Sequence, residues 1–515
     1  MFSSLTRSLF RFTLYAVGFA IVWESFRITK VDIRSVVEGL PMSLDLIREM
    51  MPPDFRGWRQ ILSLSLETLV IGLWGTMLGV VFAVPIGFLA AANTTPGVIV
   101  HSLAKSLVGI LRSIPELVYA LIFISSMGIG NLPGIMTIML HTIGLASKFY
   151  AEAIESIDDK PVEAARSTGS HPFHVIRHAV LPQLVPLFTG YTLFILDHNI
   201  RTVIGIGVIG AGGIGTELYR NMRQFNYTSV AAIVIVIFLV VTIIDRLSAY
   251  LRQTATDGEV FSKTNKKYSI PLLSILGALF VFSLVDMSTQ LSALVGSLPF
   301  LFEILRFMFP PDFADLSKYV ALMVETLGMA VAGSISAIVM SVFLGVLAAR
   351  NIVRLPLVSR AASEICNFCR AMPDILFALF FVVSVGLGPF AGVIALALSS
   401  IGTLGKFYGE AIENIDPKPL EAIDATGATT WQRVIHGVLP QVLPLFNSYN
   451  LYILDRNVRT STILGVVGAG GIGFELMVAM RLMDYQKTTA IVLVIFLTIL
   501  AVDYISSAAR KKVLQ

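Results

Sequence analysis

Displaced by 258 residues, the separation of Pro52 from Pro310, the sequence returns onto itself without a gap from about Pro41 to Arg252. Pro52-Pro53-Asp54-Phe55 falls on Pro310-Pro311-Asp312-Phe313, Glu67-Thr68 on Glu325-Thr326, and Lys148-Phe149-Tyr150 on Lys406-Phe407-Tyr408. Farther along, Leu181-Pro182-Gln183 meets Leu439-Pro440-Gln441, and Gly210-Ala211-Gly212-Gly213-Ile214-Gly215 meets Gly468-Ala469-Gly470-Gly471-Ile472-Gly473. Solenoid repeats have periods of roughly 20–50 residues. This longer spacing describes a duplicated domain, residues 1–251 and 269–515, joined by a polar linker at 252–268.

Charge says what the duplicated domain is made of. Only 14% of the residues are charged and 55% are hydrophobic, whereas soluble chains carry about 25% charged residues. The composition predicts an all-α polytopic membrane protein. Thr68 to Asn93 and Gln224 to Ile244 lack acidic and basic side chains, and each can cross a hydrocarbon core, which takes roughly 20 residues. Between Glu116 and Lys148 lie 31 uncharged residues, interrupted by the stretch Gly128 to Gly134. That is too few for two spans and a turn, so one span is expected to reach back across Arg112 and Glu116. With spans near residues 9–25 and from about Pro182, each half is expected to hold about six. An even number returns the chain to its starting side and predicts two parallel six-span repeats. Arg7 and Arg11, the linker's Arg252, Lys263, Lys266 and Lys267, Arg350, Arg354 and Arg360, and the tail's Arg510, Lys511 and Lys512 then share one side. The positive-inside rule makes that side, and both termini, cytoplasmic.

Several functions are excluded at this level. A net charge of +4, from 38 basic and 34 acidic residues, is too slight for a nucleic-acid binder. Cys366 and Cys369 are the two cysteines; the repeat puts Val108 and Leu111 at their positions, so they read as small packing side chains and no metal site is expected. His101, His141 and the other histidines show no ligand spacing. The apolar stretch Phe12 to Trp23 is followed by Glu24 and Arg27 without a cleavage pattern, and is expected to remain as a first span. No Gly-x4-Gly-Lys-Ser/Thr phosphate loop occurs, so the chain is not expected to hydrolyse ATP or to hold a cofactor.

The polar stretch between the fourth and fifth spans falls on the basic side. It contains Glu152-Ala153-Ile154-Glu155, then Glu163-Ala164-Ala165, Gly169 and Leu181-Pro182. The second copy has Glu410-Ala411-Ile412-Glu413, then Glu421-Ala422-Ile423, Gly427 and Leu439-Pro440. Pro161 or Pro419 in the first turn and Gly169 or Gly427 after it describe a short helix that stops at the glycine. This pattern resembles the EAA loop of permease subunits of binding-protein-dependent ABC importers. The resemblance implies a coupling helix, carried here by Glu163, Ala164, Ala165 and Gly169 and by Glu421, Ala422 and Gly427, that docks on an ATPase subunit. Ile423 departs from the third motif residue, which could make the two docking contacts unequal.

Charges within the apolar segments point to a polar path, since each costs several kcal/mol there. Arg112 and Arg370 each precede an acid, Glu116 or Asp374, by four residues; Arg201 and Arg459 follow Asp197 and Asp455 by four, in Asn199-x-Arg201-Thr202 and Asn457-x-Arg459-Thr460. Two readings stand. Each arginine forms a self-contained i to i+4 ion pair, or the paired arginines offer forked donors to an oxyanion. The glycine-rich runs, Gly210, Gly212, Gly213 and Gly215 with Gly468, Gly470, Gly471 and Gly473, are tight turns or close helix packing, or alternatively an anion nest at an outer gate.

Arg112-Ser113-Ile114-Pro115-Glu116, Lys148-Phe149-Tyr150, Asn199-x-Arg201-Thr202 and Gly-Ala-Gly-Gly-Ile-Gly, each with its twin, together look like the phosphonate-type (PhnE) ABC importer permease family over nearly the whole chain. That resemblance implies a type I importer permease (MetI/MalF-like architecture) in the bacterial inner membrane, two permeases fused in tandem. It further implies two ATPase partners that bind ATP and Mg, an external solute-binding protein, and a phosphorus oxyanion substrate such as phosphonate, phosphite or phosphate. The alternatives are an importer permease for another small solute such as methionine, and a twelve-span secondary transporter.

Overall fold

The computed structural model describes residues 16–256 and 293–513, except positions 32 and 354. Arg7, Arg11, Arg354 and linker residues 257–268, including Lys263, Lys266 and Lys267, therefore lie outside the described residues, as does the start of the expected first span. The described residues are helical, with no strand.

Two compact units form, and their limits differ from those of the sequence repeat. One comprises Met50–Phe307; the other combines Met1–Glu49 with Met308–Gln515. The N-terminal helices α1 (residues 16–28) and α2 (Ile33–Glu49) thus pack with the second half. Gly39 abuts Val385, and the Ser43 hydroxyl donates to the Ser384 hydroxyl at 3.3 Å. The unit Met50–Phe307 contains α3 (Trp58–Ala90), α4 (Val98–Ser113), α5 (Glu116–Met127), α6 (Asn131–Glu155), α7 (Asp159–Ser167), α8 (Leu181–Gly207), α9 (Ile214–Arg223), α10 (Tyr227–Thr256) and α11 (residues 293–307). The other continues with α12 (Leu316–Ala348), α13 (Pro356–Ala371), α14 (Asp374–Val385), α15 (Pro389–Glu413), α16 (Pro417–Ala425), α17 (Leu439–Leu464), α18 (Ile472–Arg481) and α19 (Tyr485–Val513).

Seven described helices are long and apolar enough to cross a membrane, and three bent pairs bring the number to ten. The stretch expected to reach across Arg112 and Glu116 is sharply bent: α4 and α5 meet at 82°, and α13 and α14 at 90°. Pro115 and Pro373 sit at these corners. Proline lacks the N–H a continuing helix needs and pushes the residue before it into extended geometry, as at Ile114 (φ −88°, ψ 121°) and Met372 (φ −79°, ψ 129°).

In each half the core is a helix pair in near-backbone contact. Gly75 and Gly79 of α3 face Ile138 and Thr142 of α6 so closely that a Cβ would come within 2.5 and 2.4 Å of them. One turn of side chains is therefore missing between the helices, and the large residues Ile71, Ile135, Ile138 and Tyr150 fill the flanks completely buried. Gly333 against Leu396 and Gly345 against Tyr408 repeat the arrangement in α12 and α15. In lipid, where helix association relies on packing rather than on water exclusion, small residues at the contact are what permit it.

Candidate coupling and translocation site

At one end of each unit a short amphipathic helix hangs from the end of a long one. In α7 the Asp158 side chain accepts from the Lys160 N–H at 3.0 Å, capping the first turn. Val162 is buried, while Glu163 and Ala164 are exposed and Ala165 half-buried. The helix ends at Ser167, and Gly169 turns the chain with φ +71° in open space. In α16 Asp416 caps Lys418 at 3.0 Å, Leu420 is buried, Glu421 and Ala422 are exposed, and Gly427 turns with φ +77°. Burial of one such aliphatic side chain contributes about 2 kcal/mol, enough to orient a nine-residue helix but not to hold it alone.

Polar ties supply the rest, and they explain the conserved wording between the halves. The Gln183 carbonyl oxygen accepts from the Asp158 N–H at 2.9 Å, and its amide nitrogen donates to the Asp158 and Ala179 carbonyls. Gln441 does the same for Asp416 and Gly437. Glu155 accepts from the Ala92 N–H and Glu413 from the Arg350 N–H, fastening the last turn of α6 or α15 to the end of α3 or α12. Tyr150 and Tyr408, fully buried, stack on Phe188 and Phe446 at centroid distances of 4.1 and 3.9 Å. Ahead of each Leu-Pro the helix widens into a π-turn, Ile176–Val180 or Val434–Val438. Pro182 and Pro440 cannot donate to the preceding turn, which accounts for the widening.

The glycine-rich run lies toward the opposite end of α3. Here Gly213 (φ +75°) and Ile214 begin α9, and their N–H groups, which no turn of helix can satisfy, donate to the Glu67 carboxylate at 2.8 Å and the Thr68 hydroxyl at 2.9 Å. Gly471 and Ile472 donate to Glu325 and Thr326, both at 2.9 Å. A Cβ on Gly215 would lie 2.0 Å from the Ile204 carbonyl, and one on Gly473 1.9 Å from that of Thr462. Close packing therefore explains this run, and the nest donors already hold the chain's own carboxylate. Gly210, Gly212, Gly468 and Gly470 take positive φ in the same turns.

Between these ends lies a belt of polar groups. Arg201 pairs with Asp197 on its own helix and with Asp245 of α10 at 3.5 Å. Arg459 pairs with Asp455 at 2.7 Å and Asp503 of α19 at 3.7 Å. Each guanidinium thus faces two carboxyl groups rather than the one on its own helix. Asp245 and Asp503, which stand 258 residues apart in register, were the missing members. Asn199 is buried, and its amide donates to Thr76 and Thr142 at 2.8 Å each; the Asn457 amide donates to Ser334 at 2.9 Å, and its carbonyl oxygen accepts from the Ser400 hydroxyl at 3.0 Å. These asparagines knit three helices together.

The arginine-acid pairs at the helix corners are not pairs along one helix, because Arg112 and Arg370 end one helix while Glu116 and Asp374 start the next. Glu116 stands 3.9 Å from His141, which stacks on His198 at 5.7 Å. In the second half, Arg456 holds both oxygens of Asp374 at 2.7 and 2.9 Å and donates to Ser399 at 3.2 Å. The repeat aligns Glu116 with Asp374, His141 with Ser399 and His198 with Arg456. A cross-helix arginine–aspartate pair in one half therefore corresponds to two stacked histidines beside a glutamate in the other. Cys366 is buried against Gly405.

Residues 83–256 and 341–514 each match the family described as binding-protein-dependent transport system inner membrane component. The chain belongs to that family. It carries the family domain twice, as the repeat requires, and is a multi-pass membrane protein. It is similar to the phosphate-import permease protein PhnE of Mycolicibacterium smegmatis (strain ATCC 700084 / mc(2)155), with 35% identity over 93% of this chain and 90% of that one. The phosphite transport system permease protein PtxC of Stutzerimonas stutzeri is 43% identical over 43% of this chain and 81% of its own length, a match about the size of one half. Among solved structures, an inward-facing MetNI methionine ABC transporter chain aligns with a TM-score of 0.35 and 22% identity, over 38% of this chain and 95% of that chain.

Proposed function

We propose that this chain is a transmembrane permease subunit of an ATP-driven, binding-protein-dependent importer for a phosphorus oxyanion. The observation that carries the mechanical part is the pair of capped, glutamine-tied helices α7 and α16, each presenting an exposed Glu-Ala face. A helix pinned at its start and ended by a left-handed glycine transmits a push to the spans beside it, whereas a loose loop would absorb it. Two ATPase subunits, which bind ATP and Mg, would press on these faces from the cytoplasm, the side of both termini. A solute-binding protein would deliver the anion at the opposite end, where the glycine-rich turns lie. The substrate class is supported by the phosphate and phosphite relatives.

Within the path, Arg201 and Arg459 act as cations clamped at rest. Asp245 and Asp503 belong to other helices than the arginines, so a relative movement of the helices would free each guanidinium from one acid and offer its donors to the passing oxyanion. Arg112 and Arg370, at the corners, would meet it on the same route.

The test is reconstitution. The purified chain with its ATPase and binding protein should take up phosphate, phosphite or a phosphonate only when ATP is inside the subunits' compartment. Accumulation by the chain alone, driven by an ion gradient, would overturn the importer reading in favour of a secondary transporter. Methionine uptake in place of the oxyanions would overturn the substrate class.

A further inference from the structure

The end of α12 and the start of α13 flank an open cavity of about 320 Å³ lined by Arg350, Val353, Pro356, Ser359 and Arg360. Its frame is rigid. The Arg350 N–H is held by Glu413 at 2.9 Å, the Asn351 amide by the Ile412 carbonyl at 2.6 Å, and the Ser359 hydroxyl by the Ala348 carbonyl at 2.6 Å. Both arginine side chains are exposed, and no carboxylate of the described residues pairs with either. Two guanidiniums around one cavity can both offer donors to a single anion. Their planar forks suit a phosphate group best.

Leu355 and Leu357 are exposed by 65% and 81%, directly between the two arginines in sequence. The cavity lies at the end of a membrane-crossing helix, where basic side chains and exposed aliphatics together mark the boundary between hydrocarbon and headgroups. The first half has Ala92, Val98 and Ser102 where the second has Arg350, Pro356 and Arg360, so the repeat supplies a comparison without arginines at these positions.

We propose that this cavity binds the phosphodiester headgroup of an anionic phospholipid, and that it does so in the second half alone. A phosphate free in solution would offer the same chemistry. The exposed leucines favour the lipid, whose acyl chains they would meet. A lipid already in the bilayer also stands at a high effective concentration beside two surface charges that salt would otherwise screen. Because the Arg350 backbone is fastened to Glu413, just before α16, the headgroup would bear on one coupling helix and not on its twin. The binding site goes beyond the proposed import function and does not depend on it.

The experiment uses the full chain, purified in a neutral detergent and titrated with phosphatidylglycerol while lipid adducts are counted by native mass spectrometry. Parallel titrations use phosphatidylcholine and inorganic phosphate. Arg350→Ala with Arg360→Ser, which copies the first half, should weaken phosphatidylglycerol binding roughly 25-fold, each basic side chain contributing about a factor of five. Arg350→Lys with Arg360→Lys should retain most of it, which separates lost charge from a misfolded loop. Equal phosphatidylglycerol binding by the native and the Ala/Ser chains overturns the proposal. So does binding of phosphatidylcholine at the same strength, or displacement of the lipid by millimolar inorganic phosphate, which would make the cavity a site for the free anion.

Discussion

Gly213→Ala is the substitution for which the structure sets the clearest magnitude. Gly213 has φ +75° and ψ −172°, a region open essentially to glycine alone, where another residue costs about 1–3 kcal/mol. The added Cβ would lie 2.5 Å from the Thr68 hydroxyl oxygen and 3.4 Å from the Thr68 Cα. Because the backbone is as close as ordinary contact allows, Thr68 cannot retreat without releasing the Ile214 N–H it accepts at 2.9 Å. A buried donor left without a partner costs a further 1–3 kcal/mol or so. The total is about 4 kcal/mol, which at roughly 2–4 °C per kcal/mol for a unit of this size lowers the melting temperature by about 10 °C. Gly169→Ala serves as the control. Its φ is +71° but nothing lies within 4 Å of the added Cβ, so only the backbone term of about 1 kcal/mol applies. Thermal denaturation of the detergent-solubilised chain, followed by size-exclusion fluorescence, measures both. Combining Gly213→Ala with Thr68→Ala should cost less than the sum of the two, since they break one hydrogen bond between them. Equal losses for Gly213→Ala and Gly169→Ala would refute the packing of this turn against α3.

Gln183→Ala should free the start of α7, seen as faster amide exchange over residues 158–167 with a stability loss of about 1 kcal/mol, while residues 416–425 keep their protection; Gln441→Ala should reverse the pattern. Gly169→Asp with Gly427→Asp should abolish substrate-stimulated ATP hydrolysis in the assembled complex while leaving the melting temperature within a few degrees, because both glycines are exposed; retained coupling would count against α7 and α16 as the docking faces. Arg456→Ala leaves Asp374 without its cross-helix cation and should cost about 2 kcal/mol, below the figure for fully buried pairs because both groups are about a quarter exposed. His198→Ala, at the matching position of the first half, should cost distinctly less, which parallel thermal melts would test.

Several features were legible from one-dimensional order. Repetition and charge spacing depend only on sequence, so the duplication, the all-helical membrane class and the positions of the two EAA-type loops could be read directly. The Glu-Ala faces, the terminating glycines and the glycine-rich turns emerge at the residues expected. Partners across helices could not be read in this way. Arg201 with Asp197 is visible at a spacing of four, but Asp245 lies 44 residues farther on, and its relevance exists only because α8 packs on α10. For the same reason Gln183 was seen only as part of Leu-Pro-Gln, and Glu67-Thr68 only as a repeated pair, until the fold brought each to the amide it satisfies.

Periodicity and charge thus determined how many times the chain is built and in what solvent. Tertiary structure alone decided where the chain turns at Pro115 and Pro373, that residues 16–49 pack with the second half, and which acids face which arginines. The reason is physical. Hydrophobicity is a property each residue carries with it, whereas an ion pair, a capped helix start or a corner is a relation between positions that only a folded backbone brings within a few ångströms.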